Sequence, residues 1–289
     1  MIIIIQIVTD SCNDLPQEII KEYNIHIVPL YLYVDGENYQ SGINIGDEEA
    51  LHKIAAAREL PTTSQPAPAD FQKLFEEIKD NGPILCLTLT SKLSGTNNSA
   101  NLAAKNTNAQ VTVYDTFQGT FGQGFQVLLA AEMAKAGHTI PEIISALNEY
   151  RKESYIYVAL ETLENAIKGG RINRAQGTLA KALNIKAIVE VKDGNVNVYN
   201  KLRGSEKTFK RMLEIFSEKK RDFSQMIIGI AHFNCPEKAQ NYKQAIMEKL
   251  KPKAVILSLL NPTIAVYAGN KSVAVSLSPD PISFIKRKN

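Results

Sequence analysis

The sequence predicts an α/β protein of two domains: an α/β/α parallel-sheet domain over residues 1–152, and a smaller α+β domain with a mixed sheet and helices over residues 153–289. Three observations carry this. The chain has 289 residues, and at about 150 residues per domain that length favours two. From Ile2 to about Val158, short apolar runs alternate with helical periodicity, the pattern of strands joined by crossover helices. Beyond Tyr155 the order changes, and Asp193-Gly194 between two apolar runs signals a hairpin, so the second sheet is mixed or antiparallel with helices on one face.

The elements follow in order. Ile2–Val8, Ile25–Val34, Ile84–Leu89 and Gln110–Tyr114 read as strands. Phe71, Leu74, Phe75 and Ile78 share one face of a helix whose first turn suits Pro68. Another helix is expected from Asn98. Gly119, Gly122 and Gly124 read as a flexible glycine-rich turn, since their spacing is not G-x-G-x-x-G and no Walker lysine follows. In the second half, helices are expected around Leu163–Lys168, Thr178–Leu183, Glu206–Lys219 and Pro236–Leu250. Strands are expected at Ile188–Val191, Val196–Tyr199, Met226–Ala231, Ala254–Leu259, Thr263–Tyr267 and Ser272–Leu277. The boundary between domains falls near Glu153.

Composition excludes several function classes. Hydrophobic residues make up 44% and charged residues 22% of the chain, close to ordinary globular proteins and far from disordered or fibrous ones. The net charge of +3 is too small over this length for the broad basic field of a nucleic-acid binder. Cys12, Cys86 and Cys235 are widely spaced and lack C-x-x-C pairing, which fits a reducing compartment. No stretch reaches the roughly 18 uninterrupted apolar residues of a membrane helix, so a cytoplasmic protein with no integral membrane segment is expected. No His, Asp or Glu spacing resembles a metal motif.

Hydroxyl-bearing residues concentrate in two loops: Pro61-Thr62-Thr63-Ser64-Gln65-Pro66, and Thr88 to Thr96 at the carboxyl end of a strand. Ligands of open α/β sheets gather at such ends, and the N–H groups of the next helix attract anions, so Ser94, Gly95 and Thr96 can hold a carboxylate or phosphate. Helix capping by Ser94 or Thr96, and by Thr63 or Ser64 before the Phe71 helix, needs no ligand and stands beside that reading. Capping is likewise the favoured role of Asp10-Ser11 and Asp14. Lys168-Gly169-Gly170-Arg171 ends a helix with tandem glycines and places Arg171 just beyond; that arginine can pin an anion or bridge the domains through an ion pair. None of His26, His52, His138 and His232 announces a catalytic triad, and no G-x-S-x-G elbow surrounds Ser94.

Taken together, Ile7-Val8-Thr9-Asp10-Ser11, Val28-Pro29-Leu30, Thr63-Ser64-Gln65-Pro66, Leu93-Ser94-Gly95-Thr96 with Ser99-Ala100, Gly169-Gly170-Arg171-Ile172 and Lys201-Leu202-Arg203 resemble the DegV family of bacterial fatty-acid-binding proteins, in order and over essentially the whole chain. The resemblance implies a long-chain acyl group buried between two domains. It implies that Thr63 and Ser94 hold the carboxyl group, with Ser64, Gly95, Thr96, Arg171 and Tyr267 as further ligand contacts. It implies no cofactor and no catalytic residue in this chain, because family members present the acid to a separate fatty acid kinase, for which Arg203 is the docking candidate. The sequence departs from the family at Tyr267-Ala268-Gly269-Asn270-Lys271, where a histidine is usual in place of Tyr267, and at Gln40-Ser41, where an aspartate often follows the tyrosine. A phenol donates a hydrogen bond to a carboxylate but lacks an imidazole's charging near neutral pH. The rival expectation is a stand-alone enzyme on a small acyl or phosphorylated substrate, with Ser94 as nucleophile and no partner required.

Overall fold

The computed structural model describes residues 5–173 and 185–288. Its first part runs β1 (Gln6–Asp10), α1 (Gln17–Glu22), β2 (His26–Val28), β3 (Tyr31–Val34), β4 (Glu37–Gln40), α2 (Asp47–Ala56), β5 (Thr62–Ser64), α3 (Pro68–Ile78), β6 (Ile84–Thr88), α4 (Thr96–Lys105), β7 (Val111–Asp115), α5 (Thr120–Lys135) and α6 (Ile140–Lys152). The second runs β8 (Tyr155–Leu160), α7 (Glu164–Lys168), β9 (Ile185–Lys192), β10 (Asn195–Arg203), α8 (Ser205–Ser217), β11 (Met226–His232), α9 (Pro236–Leu250), β12 (Ala254–Leu259), α10 (Pro262–Ala268), β13 (Val273–Pro279) and α11 (Pro281–Lys288).

The fold is α/β. A parallel sheet in the order β2-β1-β6-β7 and a mixed sheet in the order β10-β9-β8-β13-β11-β12 are accompanied by a small antiparallel sheet, β4-β3-β5. Within the mixed sheet only β11 and β12 pair in parallel. Asp193-Gly194 turns the β9–β10 hairpin with both residues in the left-handed region, as a two-residue hairpin turn requires. Pro68 occupies the first turn of α3, and the Asp70 carboxylate accepts from the Ala67 N–H at 2.8 Å.

Several elements differ from the sequence pattern for physical reasons. Ile25–Val34 is two strands, not one: Pro29 has no N–H to give a ladder, the chain bends at Pro29-Leu30, and β3 leaves for the small sheet. The run Thr263–Tyr267 is helical. Asn261 accepts from the Thr263 N–H at 3.0 Å and Pro262 fills the first helical position, so a capped helix start overrides the apolar β-like pattern. The helix expected at Thr178–Leu183 lies outside the described residues.

Gly119, Gly122 and Gly124 do not form a flexible turn. Gly119 precedes α5, and the other two lie inside it because neighbours approach too closely for a side chain: a Cβ at Gly124 would come within 2.3 Å of the Asn13 carbonyl oxygen. This helix is buried on nearly all sides, the condition of a helix with apolar residues all round. It packs against β1 and β6 of the parallel sheet and against β11 and β13 of the mixed sheet, so one core is continuous through both. The mixed sheet therefore carries helices on both faces: α8 and α9 on one, α5 and α10 on the other.

Candidate functional site

Alternation along the strands separates the two faces of the mixed sheet. Tyr157 and Ala159 of β8 face α8 and α9, whereas Ile156, Val158 and Leu160 line a cavity on the opposite face. Val189 and Val191 of β9, Val196 of β10 and Ala274 of β13 extend that apolar wall. Opposite it stand Leu30, Leu89 and Leu93 from loops of the first half, Gly119 and Thr120 at the start of α5, and Thr263, Ile264, Tyr267 and Ala268 of α10. The enclosed part of this space is about 120 Å³; counted with its open mouth and the gaps between atoms it reaches about 930 Å³. The hairpin closes one side: Thr90 Oγ1 donates to the Gly194 carbonyl at 3.1 Å.

One end is polar. Thr63, Leu93, Ser94 and Arg171 line both the cavity and an adjoining open vestibule, which Ser64, Gln65 and Gly95 complete. Thr63 reaches this position on β5, the edge of the small sheet, and its hydroxyl lies 2.7 Å from the Tyr267 hydroxyl. Ser94 lies in the loop between β6 and α4, with its Oγ 2.9 Å from Thr96 Oγ1 and accepting from the Thr96 N–H at 3.3 Å. The N-cap of α4 is Gly95, which has no side chain to cap it; Ser94 stands one position earlier and meets only the first N–H of the helix, that of Thr96. Nor do Thr63 and Ser64 cap α3: they are strand residues, and the N-cap position is Ala67.

The two hydroxyl loops are braced together. Gln65 Nε2 donates to Ser99 Oγ on α4 at 3.0 Å, and its amide lies where a Cβ of residue 95 would stand, so the Gln65 contact and Gly95 belong to one piece of packing. Gln65 and Ser99 stand in separate motifs; their contact spans 34 positions and has no signature in the local sequence.

Arg171 and Tyr267 meet face on. The guanidinium carbon is 4.0 Å from the Tyr267 ring centroid, and Arg171 Nη1 donates to the Gly169 carbonyl at 2.7 Å. Gly169 is required because a Cβ there would sit 2.3 Å from Tyr267 Cδ1. Among the described residues Arg171 makes no ion pair, and its charge lies beside the vestibule. Thr96 is buried and lines neither space, and Arg203 is exposed at the end of β10, away from both.

Beneath the cavity, Asp10 caps a short 3-10 helix, Ser11–Asn13, that precedes α1, and it is also a structural hub. Its carboxylate accepts from the Leu89 N–H at 2.7 Å, the Cys12 N–H at 2.9 Å and Gln123 Nε2 at 3.1 Å, tying β1, β6 and α5 together; burial nonetheless holds its pKa above the usual carboxylate range. Ser11 Oγ accepts from the Leu30 N–H at 3.1 Å, fixing the bend after β2. Burial also pushes the Cys12 thiol, which lines the cavity, well up, so it is no thiolate nucleophile.

Comparison with known proteins gives a consistent result. Residues 4–280 match the family model described as "Uncharacterised protein, DegV family". A DegV domain-containing protein of Listeria innocua is 35% identical over 272 residues, 93% of this chain and 97% of that protein. Among solved structures, a DegV family protein from Thermus thermophilus, described for its fatty acid binding, superposes with a TM-score of 0.88 at 29% identity, covering 95% of this chain and 99% of that one. DegV from Bacillus subtilis, described as a fatty acid binding protein, gives 0.87 at 26% identity, with 96% and 99% covered. A hypothetical protein of Thermotoga maritima, described as revealing fatty acid binding function, gives 0.86 at 26% identity, also with 96% and 99% covered.

Proposed function

Because the chain belongs to the DegV family, we propose that it binds a long-chain fatty acid in the cavity against β8 and β9, holds the carboxyl group with Thr63 and Ser94, and presents it to a fatty acid kinase. The observation that carries this reading is the polarity gradient of one continuous space: apolar walls inside, then Thr63, Ser94 and Arg171 where the cavity meets the open vestibule. That is the shape of an amphiphile with one anionic end.

The energetics favour a preformed site. Roughly ten buried methylenes at about 0.8 kcal/mol each contribute on the order of 8 kcal/mol, comparable to association costs of about 4–15 kcal/mol. Little margin remains for opening a closed core, so a cavity already walled by rigid strands is needed. The carboxylate must also be satisfied, because a buried, unpaired charge costs more than several methylenes return. Thr63 and Ser94 supply hydroxyl donors, and the Arg171 charge lies beside them without a competing carboxylate among the described residues. The open vestibule leaves the head group reachable by a second protein, which suits transfer to a kinase. Arg203 at the exposed end of β10 is the docking candidate.

The nucleophile reading is weaker. Ser94 Oγ bonds only to Thr96, and no histidine lines the cavity or the vestibule among the described residues, so no base activates it. Native mass spectrometry of protein purified from cells tests the proposal. A fatty acid adduct in the parent, weakened in Thr63→Ala and Ser94→Ala, is expected; no adduct, or acyl binding indifferent to both substitutions, overturns it.

A further inference from the structure

A second concave site lies behind the acyl cavity and shares no lining residue with it. Ser11, Asp14, Pro29, Ser41, Asp47 and Asn261 line a cleft of mixed polar and apolar surface, while the chain neighbours Cys12, Leu30 and Leu260 line the cavity. Three chain segments thus form a thin wall between an oily space and an acidic one.

The cleft is built, not incidental. Asp14 is buried, in the left-handed region, and one carboxylate oxygen accepts from the Asn261 N–H at 2.9 Å. The Asn261 side chain donates to the Ser11 carbonyl at 2.8 Å and to Ser41 Oγ at 3.3 Å, and Ser41 Oγ donates to Asp47 Oδ1 at 3.1 Å. Two carboxylates therefore stand at the ends of one hydrogen-bonded relay. The other oxygen, Asp14 Oδ2, is buried and has no hydrogen-bond partner among the described residues. A buried carboxylate oxygen left this way is costly, and a bound cation would satisfy it.

The geometry points to a divalent-cation site of the magnesium class in this cleft, with Asp14 and Asp47 as the charged ligands and Ser41 as a neutral oxygen beside them. The donor set is oxygen only, which selects hard cations over zinc or copper. No group of three or more histidine, cysteine, aspartate or glutamate residues able to hold a metal occurs among the described residues. Two carboxylates are nevertheless what magnesium commonly takes from protein, keeping several of its waters, and the cleft is open enough to hold them.

Manganese serves as a paramagnetic probe. Titrating the full chain with Mn²⁺ and following free Mn²⁺ by electron paramagnetic resonance is expected to give one saturable site per chain, displaced by Mg²⁺. Asp14→Asn and Asp47→Asn should each weaken it by at least the about 10- to 100-fold lost when an outer-shell partner is removed. Asp35→Asn, in the exposed β3–β4 turn, should leave it unchanged. Should Asp14→Asn fail to fold, Asp47→Asn, which leaves the Asn261 contact intact, decides alone. Absence of saturable binding at millimolar Mn²⁺, or a site that survives Asp47→Asn, overturns the proposal. Copurifying fatty acid is read independently in the same samples, so the fate of the acyl-binding proposal is separate.

Discussion

The two faces of the mixed sheet are made by the same strands and treated in opposite ways. Under α8 and α9, Met212, Phe216 and Tyr242 fill the space against Tyr157, Ile228 and Val275, with the Tyr157 and Phe216 rings edge-on at 5.5 Å between centroids. On the other face, Ile156, Val158, Leu160, Val189 and Val191 meet a short helix and loop ends that leave space. Both sets of strand residues are apolar, so what distinguishes a solid face from a hollow one is the element that lies across from it. Long amphipathic helices bring large side chains down onto the sheet; α10, of seven residues, and the Gly119 start of α5 do not.

This contrast predicts opposite consequences for substitution on each face. The largest effect is expected on the solid side: Phe216→Ala should cost about 3–5 kcal/mol of unfolding free energy, as truncations of buried aromatics do, while fatty acid still copurifies with what folds. Denaturant unfolding and lipid extraction on the same preparation check both parts. The hollow side should answer the other way. Val158→Trp fills acyl space, so the lipid adduct should disappear in native mass spectrometry, whereas stability should change by no more than the about 1–3 kcal/mol of moderate overpacking. If Val158→Trp keeps its adduct, the two faces do not differ as argued.

At the polar end the effects are smaller. Thr63→Ala and Ser94→Ala each remove a hydroxyl from a charged ligand, worth about 1–3 kcal/mol, or roughly 5- to 150-fold in affinity. Fluorescent fatty acid displacement measures this, and unchanged affinity in both would locate the carboxyl group elsewhere.

How much of this was legible in the sequence follows from the range of the interactions. Elements governed by local chemistry stood out: the Asp193-Gly194 hairpin, the Pro68 helix start and the Pro236–Leu250 helix all appear where their residues place them. Thr263–Tyr267 was misleading because its apolar, β-branched composition is outweighed by one cap and one proline. Gly122 and Gly124 were misleading because a glycine demanded by a distant neighbour looks like a glycine demanded by a turn. The hydroxyl loops could be named as candidates from composition, but the Gln65–Ser99 brace, the stacking of Arg171 on Tyr267 and the hollow itself arise from residues far apart in the chain. The acidic cleft joins Asp14 to Asn261 across 247 positions, a separation at which no spacing rule operates.

The smallest expected effect tests whether Tyr267 acts as a ring or as a hydroxyl. Its ring supports the Arg171 guanidinium and is seated on Gly169, while its hydroxyl reaches Thr63. Tyr267→Phe keeps the first contact and deletes the second, so Thr63 loses a partner 2.7 Å away and regains conformational freedom in a half-buried place. Affinity should fall by about 0.5–1.5 kcal/mol, roughly two- to tenfold, the worth of one neutral hydrogen bond. Tyr267→His sharpens the comparison, because an imidazole titrates near neutral pH: its protonated form adds positive charge beside the carboxylate, so binding should strengthen as pH falls from 8 to 6 relative to Tyr267→Phe. Equal pH profiles in the two variants would mean that residue 267 does not face the head group, and that Arg171 and the two loop hydroxyls hold it without help from α10.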